Sequence, residues 1–565
     1  MGVGLMDGFG LAMFLPLLQM VDNSNAEQAQ NMGSLSFLIS AIKKLGIPLH
    51  LASVLIIISL FFILKGLAMY INNIYDVNVR MGFIRHIRES FTNDFALLSY
   101  KSFSMSDSGK IQNTLSGEVE RVSQAYTYYF NAFQQFSLVL MYMVFAFFVN
   151  AQFATLITIG GILTNSIFKA IYKKTKKASG KLTHGTNQYQ GLIIQYVANF
   201  KYLKASASLK KYNEKLLNTI DDIQYNNERI GALNAIVLAV REPLLIIVVC
   251  AVIFLQVTFF EGTLAAILIS LLFFYRALNA LILMQTYYNS FLSVTGSLDN
   301  MEQFDNELKQ NAEHTGNTNI DTFKNNIELK NATFFYGKKK ILDNINLNIR
   351  KNESVAFVGE SGSGKTTLIN LLVGLMPLDE GQFYIDGITR DQLNIESYQQ
   401  RIGYITQEAV VFNDTIFNNI TFWDKPAPQN IERFYNVLKK AALHDFVQLL
   451  PKKENELLGN NGVNLSGGQR QRISIARELY KDIDILVLDE ATSSLDSETE
   501  KSIQDNIDSL KGEYTLLIVA HRLSTVKYAD RIFLLEDGKI DNFGSYAELY
   551  NKSDKFRKMV MLQEV

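Results

Sequence analysis

Long apolar runs fill the first three hundred residues, and short ones fill the rest. Runs at 3–21, 49–70, 133–149, 153–171, 236–260 and 264–283 are long enough, or nearly so, to cross a bilayer as helices. A crossing takes about 20 residues. The first run is the weakest, because it holds Asp7, Pro16 and several glycines. Six runs in series predict a six-span α-helical domain over 1–305. Helical periodicity continues between the runs, and no proline occurs between Pro48 and Pro243. One helix over 114–149 would be roughly 54 Å long at about 1.5 Å per residue. The hydrocarbon core is only about 30 Å thick, so the helices must project well beyond it. Small polar residues at 104–109 and 205–209 predict the turns at the tips. In the loop 22–47, Leu35, Leu38, Ile39, Ile42 and Leu45 fall at helical spacing opposite Ser36, Ser40, Lys43 and Lys44. That pattern suits a short helix lying on the outer membrane surface or packed on protein.

Residues 306–324 are polar and read as a linker. From 325 to 565 the pattern is that of a soluble α/β domain. Strands are predicted at 354–358, 402–407, 485–488 and 514–520. Polar residues follow at their carboxyl ends, namely Gln407, Asp489 with Glu490, and His521. Ligands of open α/β sheets bind at that edge.

Charge adds orientation. The formal net charge is −1, so no global basic field points to nucleic acid as a partner. Lysine and arginine gather in one set of connections, with Arg80, Arg85, Arg88, Lys101 and Lys110 in one and a lysine-rich stretch over 173–211 in the other. The opposite set holds only Lys43 and Lys44. The basic side is therefore cytoplasmic, and the α/β domain follows the sixth span onto that side. The single cysteine, Cys250, excludes an intrachain disulfide and a cysteine-rich metal site.

The chemistry is concentrated at 359–367, which reads Gly-Glu-Ser-Gly-Ser-Gly-Lys-Thr-Thr between a buried strand and an apolar helix. Strand, glycine-rich loop, Gly-Lys-Thr and helix form a P-loop. Gly359, Ser361, Gly362, Ser363 and Gly364 allow backbone N–H groups to converge on phosphate. Lys365 reaches the β- and γ-phosphates, Thr366 can ligate Mg²⁺, and Thr367 opens the helix behind them. Asp489 can hold Mg²⁺ through water, and Glu490 can polarise the attacking water. Tyr336, ending an early strand, can stack on adenine.

Asn464-Leu-Ser-Gly-Gly-Gln-Arg470 resembles the signature sequence of ATP-binding cassette (ABC) proteins. Other elements of that family stand in its order: Tyr336 as the adenine-stacking aromatic, Gly359 to Thr366 as Walker A, and Gln407 as the Q-loop glutamine. Asp489 and Glu490 resemble Walker B and the catalytic glutamate, Ser494-Leu495-Asp496 the D-loop, and His521 the switch histidine. With six spans ahead, the chain resembles a half-transporter of the type I exporter kind. The resemblance implies catalytic roles for Glu490, His521 and Gln407, and Mg²⁺ coordination by Thr366, Gln407 and Asp489. It implies two cassettes paired head to tail, so that Ser466, Gly467, Gly468 and Gln469 meet the partner's ATP. A homodimer is the simplest unit, with a heterodimer open, and alternating access driven by ATP is the implied cycle. The turns at 104–109 and 205–209 correspond to the family's coupling helices.

The exporter reading stands against a soluble ABC ATPase, an ATP-gated channel and an importer; six spans, an intact Glu490 and the fusion of spans to cassette weigh against these in turn. No cysteine protease domain precedes the spans, which disfavours a leader-trimming peptide exporter. Met1 falls almost inside the first run with no basic residue before it, which predicts a start further upstream. For the substrate, Phe274-Tyr275-Arg276 is similar to the branch that flips lipid-linked oligosaccharides, with multidrug and lipid A exporters as alternatives. An integral protein of a bacterial inner membrane is expected, with membrane lipid and an amphipathic or lipid-linked substrate as partners. Charges within the spans are few: Asp7, Lys65, Arg241, Glu242 and Arg276. Each is a functional candidate. One reading pairs Glu242 with Arg276, or Asp7 with Arg241. The other turns Arg276 and Arg241 to the cavity as a cationic substrate site.

Overall fold

A computed structural model of the chain describes residues 2–14, 44, 50–149, 151–259, 264–489, 510–520 and 526–563. The chain divides into two compact units. One comprises Met1–Leu98 with Ser102–Ala312, and the other Ser99–Lys101 with Glu313–Val565.

The first unit is helical throughout its described residues. Its helices are α1 Gly2–Ala12, α2 Leu51–Ala96, α3 Tyr100–Met105, α4 Ser108–Asn113, α5 Val119–Val149, α6 Ala151–Ala198, α7 Phe200–Ala205, α8 Leu209–Phe259 and α9 Leu264–Gln310. Among the described residues, the first apolar run begins on α1, which ends at Ala12, and the other five fall on α2, α5, α6, α8 and α9. The 46 residues of α2 measure about 69 Å at about 1.5 Å per residue. Along α2, Ile56, Leu60, Ile63, Leu67 and Ile71 are all exposed. A band of large apolar side chains turned outward is what a helix facing hydrocarbon requires. Interruptions of the helix near both expected tips set off the short helices α3 and α7.

Two expectations change. The helix expected from residue 114 begins at Ser108 and passes through a π turn at Thr114–Glu118 before α5. The wider turn accommodates a buried polar cluster. Asn113 Nδ2 donates to Glu118 Oε1 at 2.8 Å and to Asn187 Oδ1 at 2.5 Å, while Asn300 donates to Thr114 Oγ1 at 3.2 Å. The second change concerns Asp7. Its carboxylate is buried and accepts hydrogen bonds from Lys65 and from the Tyr142 hydroxyl; the Arg241 side chain, its expected partner, lies outside the described set. The pairing joins α1 to α2 and α5. Close packing makes it possible, since a Cβ at Gly8 would lie 2.1 Å from the Phe145 ring.

The stretch expected as a linker carries structure at both ends. Helix α9 continues to Gln310, with Lys309 paired to Asp305 one turn back at 2.6 Å. Ile320 and Phe323 are buried in the core of the second unit, because the few apolar residues of a polar stretch find a core when one adjoins it.

The second unit holds two sheets among its described residues. Strands β1 Asn326–Tyr336, β2 Lys339–Arg350, β4 Glu380–Ile385 and β5 Ile388–Thr389 form an antiparallel sheet in the order β2-β1-β4-β5. Strands β3 Ser354–Gly359, β6 Ile402–Ile405, β7 Ile485–Asp489, β8 Thr515–Val519, β9 Arg531–Glu536 and β10 Lys539–Gly544 form the other, in the order β10-β9-β3-β8-β7-β6. From β9 to β6 this second sheet is parallel, and β10 pairs antiparallel at its edge. Strands β3, β7 and β8 are buried along their whole length, as expected of strands covered on both faces. The carboxyl ends of the parallel strands point the same way, with Asp489 at the end of β7 and Gln407 just past β6; Glu490 and His521 lie outside the described residues.

Candidate nucleotide site

The loop after β3 curls because its glycines adopt backbone angles closed to other residues. Gly362 has φ +83° and Gly364 has φ +101°, and Gly364 is the N-cap of helix α10, Lys365–Leu372. At Gly359 the constraint is steric as well, since a Cβ would lie 2.3 Å from the Leu535 carbonyl oxygen on β9. The turn between β9 and β10 braces the loop from below, with Gly538 N–H donating to the Ser363 carbonyl at 3.2 Å. Lys365 is buried, and its Nζ donates to the carbonyl oxygens of Gly359 and Glu360 at 3.0 and 2.9 Å. Ser361, Gly362 and Thr366 are exposed and Thr367 is half-buried. Ser363 Oγ is buried without a hydrogen-bond partner among the described residues. A helix N-terminus, a cation and free donors thus converge on one concave loop, the arrangement that binds phosphate.

Asp489 ends β7, two strands over from β3 in the same sheet, and is buried. The Tyr404 hydroxyl on β6 donates to its Oδ2 at 3.0 Å. Burial first, and then the Asp489 charge, push the Tyr404 hydroxyl well above its ordinary range, so it stays a donor. Gln407 lies just past the end of β6 and is exposed. Tyr336, at the end of β1, is half-buried, and its hydroxyl donates to Met376 Sδ at 3.2 Å. Glu490, Asp496 and His521 lie outside the described residues. The Thr366 hydroxyl, Asp489 carboxylate and Gln407 amide oxygen are hard oxygen donors, the chemistry that Mg²⁺ takes.

The signature sequence opens helix α11, Gly467–Tyr480. Ser466 caps it, with Ser466 Oγ accepting from Gln469 N–H at 3.2 Å and Gln469 Oε1 accepting from Ser466 N–H at 2.8 Å. The Gln469 side chain is thereby occupied within the cap. Ser466 and Gly467 are exposed, and Gly468 is buried. In the helical unit, Arg276 on α9 is exposed. No ion pair joins it to the exposed Glu242 among the described residues. Arg241 lies on α8, and its side chain is outside the described set.

Residues 14–286 match the family described as the ABC transporter transmembrane region, and residues 342–493 match the family described as ABC transporter. The chain belongs to the ABC transporters. The heterocyst differentiation ATP-binding protein HepA of Nostoc sp. is 26% identical over 526 residues, spanning 91% of this chain and 84% of that protein. The ATP-dependent lipid A-core flippase of Coxiella burnetii is 27% identical over 514 residues, spanning 90% and 86%. The fold matches a bacterial Atm1-family ABC exporter solved with ATP bound, at TM-score 0.81 and 21% identity over 100% of this chain and 97% of that one. This ABC transporter is therefore an integral membrane protein of exporter fold. Its cassette is an ATP-binding domain of the kind that implies ATPase activity coupled to transport. Tyr404 and Gly538, which bond Asp489 and the Ser363 carbonyl, are contacts of the candidate site that motif reading passes over. No local signal marks them, because each acts on a partner distant in sequence.

Proposed function

We propose that the chain is half of an ATP-hydrolysing exporter that works as a homodimer and moves an amphipathic, lipid-linked anion out of the inner leaflet. The observation that carries this is the pairing, on one cassette, of a formed phosphate loop with a capped signature helix. Each cassette would bind ATP with its own P-loop and close over its partner's with Ser466, Gly467 and Gly468. Lys365 and the loop N–H groups hold the phosphates, and Tyr336 stacks on the adenine. Glu490 orients the attacking water, His521 and Gln407 complete the constellation, and Asp496 sits at the cassette interface. Thr366, Asp489 and Gln407 would hold Mg²⁺, which supplies charge neutralisation at the β- and γ-phosphates when bound. Tyr404 orients one Asp489 oxygen through its hydroxyl.

Cassette closure must reach the spans through the helix tips. Ser99–Lys101, just before the first tip, already groups with the cassette, where Lys101 pairs with Asp379 at 2.9 Å. ATP drives the cycle only to the extent that it favours the closed state. The lipid preference rests on the likeness to lipid A-core flippases over most of the chain and on the few charges within the spans; a multidrug exporter is the second reading. A bacterial inner membrane is the proposed location, given the bacterial relatives. The test is ATPase stimulation of the purified, reconstituted protein by lipid A, lipid-linked sugars and hydrophobic drugs. Stimulation by drugs alone would overturn the lipid reading.

A further inference from the structure

Helix α12, Asp554–Gln563, ends the described chain, and its placement is firm. Phe556 and Val560 are buried in the cassette core, and Phe556 N–H donates to Ser553 Oγ at 3.2 Å. This seating directs Lys555 at the nucleotide loop. Lys555 Nζ bonds Glu536, the last residue of β9, and reaches Glu360 Oε1 at 3.4 Å. Glu360 is the second residue of the P-loop, and its side chain is exposed. Its carbonyl oxygen is one of the two that hold Lys365.

The phosphate loop therefore carries a carboxylate of its own. An uncompensated negative charge there opposes the ligand. We propose that Lys555 is a positioning residue of the nucleotide site, which draws the Glu360 carboxylate away from the phosphates and offsets its charge, so that the C-terminal helix sets the affinity for ATP. The Lys555 ammonium is itself held in its charged form, its pKa raised mainly by the hydrogen bond to Glu536 and then by the field of Glu360. The inference rests on the ATP-binding reading of the loop. An exposed ion pair of this kind contributes little to folding. Its effect on a ligand of several negative charges is larger, because each charge feels the change.

The test is equilibrium ATP binding by the purified full-length protein, read by displacement of a fluorescent ATP analogue in EDTA to prevent turnover. Lys555→Ala is expected to weaken ATP binding about three- to tenfold at low salt, with the loss shrinking at ~0.5 M salt. Adding Glu360→Gln should restore binding to within about twofold, and the nucleotide-free thermal midpoint should stay put, which a merely structural Lys555 would not allow. Lys555→Met, which keeps the aliphatic stem, repeats the measurement if Lys555→Ala fails to fold. Unchanged affinity in a folded Lys555 variant overturns the proposal. So does failure of Glu360→Gln to rescue, which would mean that Lys555 touches the nucleotide directly. If the unsubstituted protein binds no ATP, the nucleotide-site reading falls, and this inference with it.

Discussion

Tyr404 is a small device with a definite consequence. Its hydroxyl donates to one oxygen of Asp489, and burial keeps that hydroxyl protonated at any working pH. Removing it takes away one of the groups that orient the carboxylate. Tyr404→Phe is therefore expected to raise the Mg²⁺ concentration giving half-maximal ATPase about tenfold, close to a hydrogen bond to a charged group at the low end of its range. An Mg²⁺ titration of the purified enzyme checks this, and an unchanged midpoint removes Tyr404 from the site. The next residue along, Glu490, gives a different result. Glu490→Gln should leave ATP binding intact, since Lys365 and the loop still hold phosphate, while turnover falls by at least about a hundredfold. Near-normal turnover would show that another group activates the water. The loop itself was legible because its requirements are local: glycines at positive φ, a lysine, then a helix start. Tyr404 was not, because strand pairing brings it to Asp489 from 85 residues away, and Lys555 reaches Glu360 only through the seating of Phe556.

At the scale of elements, the helices of the membrane unit could be read from apolar run length, and their departures from ideal helix could not. Residues 108–118 carry no proline, yet a π turn interrupts the helix there, where Asn113 bonds Glu118 across the turn and Asn187 on α6. Asp7 was recognised as a costly charge, but the choice of partner depends on which helices lie side by side. It pairs with Lys65, on α2, while its side chain is fully buried. Leaving a buried charge unpaired is far worse than having no charge. Asp7→Ala should therefore destabilise the detergent-solubilised protein by about 3 kcal/mol, seen as a lower thermal midpoint and lower yield. Replacing Lys65 by Met in the same chain should recover most of the loss. An unchanged midpoint in Asp7→Ala would mean that Lys65 can turn away to water at little cost.

For the whole molecule the outstanding question is what the spans carry, and Arg276 offers the sharpest test. The pairing that would make it a mere tie between helices is absent, since Glu242 forms no ion pair with it among the described residues and Asp7 is committed to Lys65 and Tyr142. An exposed arginine within a span is costly unless it meets water, lipid headgroups or a ligand. In a C₂ dimer each Arg276 would be doubled, and its fork of donors suits phosphate oxygens. Arg276→Ala is thus expected to leave expression, thermal midpoint and basal ATPase unchanged. Stimulation of ATPase by lipid A or lipid-linked sugar diphosphate should fall at least about tenfold, as when a charge-assisted bidentate contact is lost. Arg276→Lys should recover part of it, because the charge returns without the fork. Stimulation by an uncharged hydrophobic drug, if there is any, should be unaffected. A stable Arg276→Ala protein whose response to the anionic lipids is undiminished would place substrate recognition elsewhere in the spans, and would leave this arginine to the lipid headgroups.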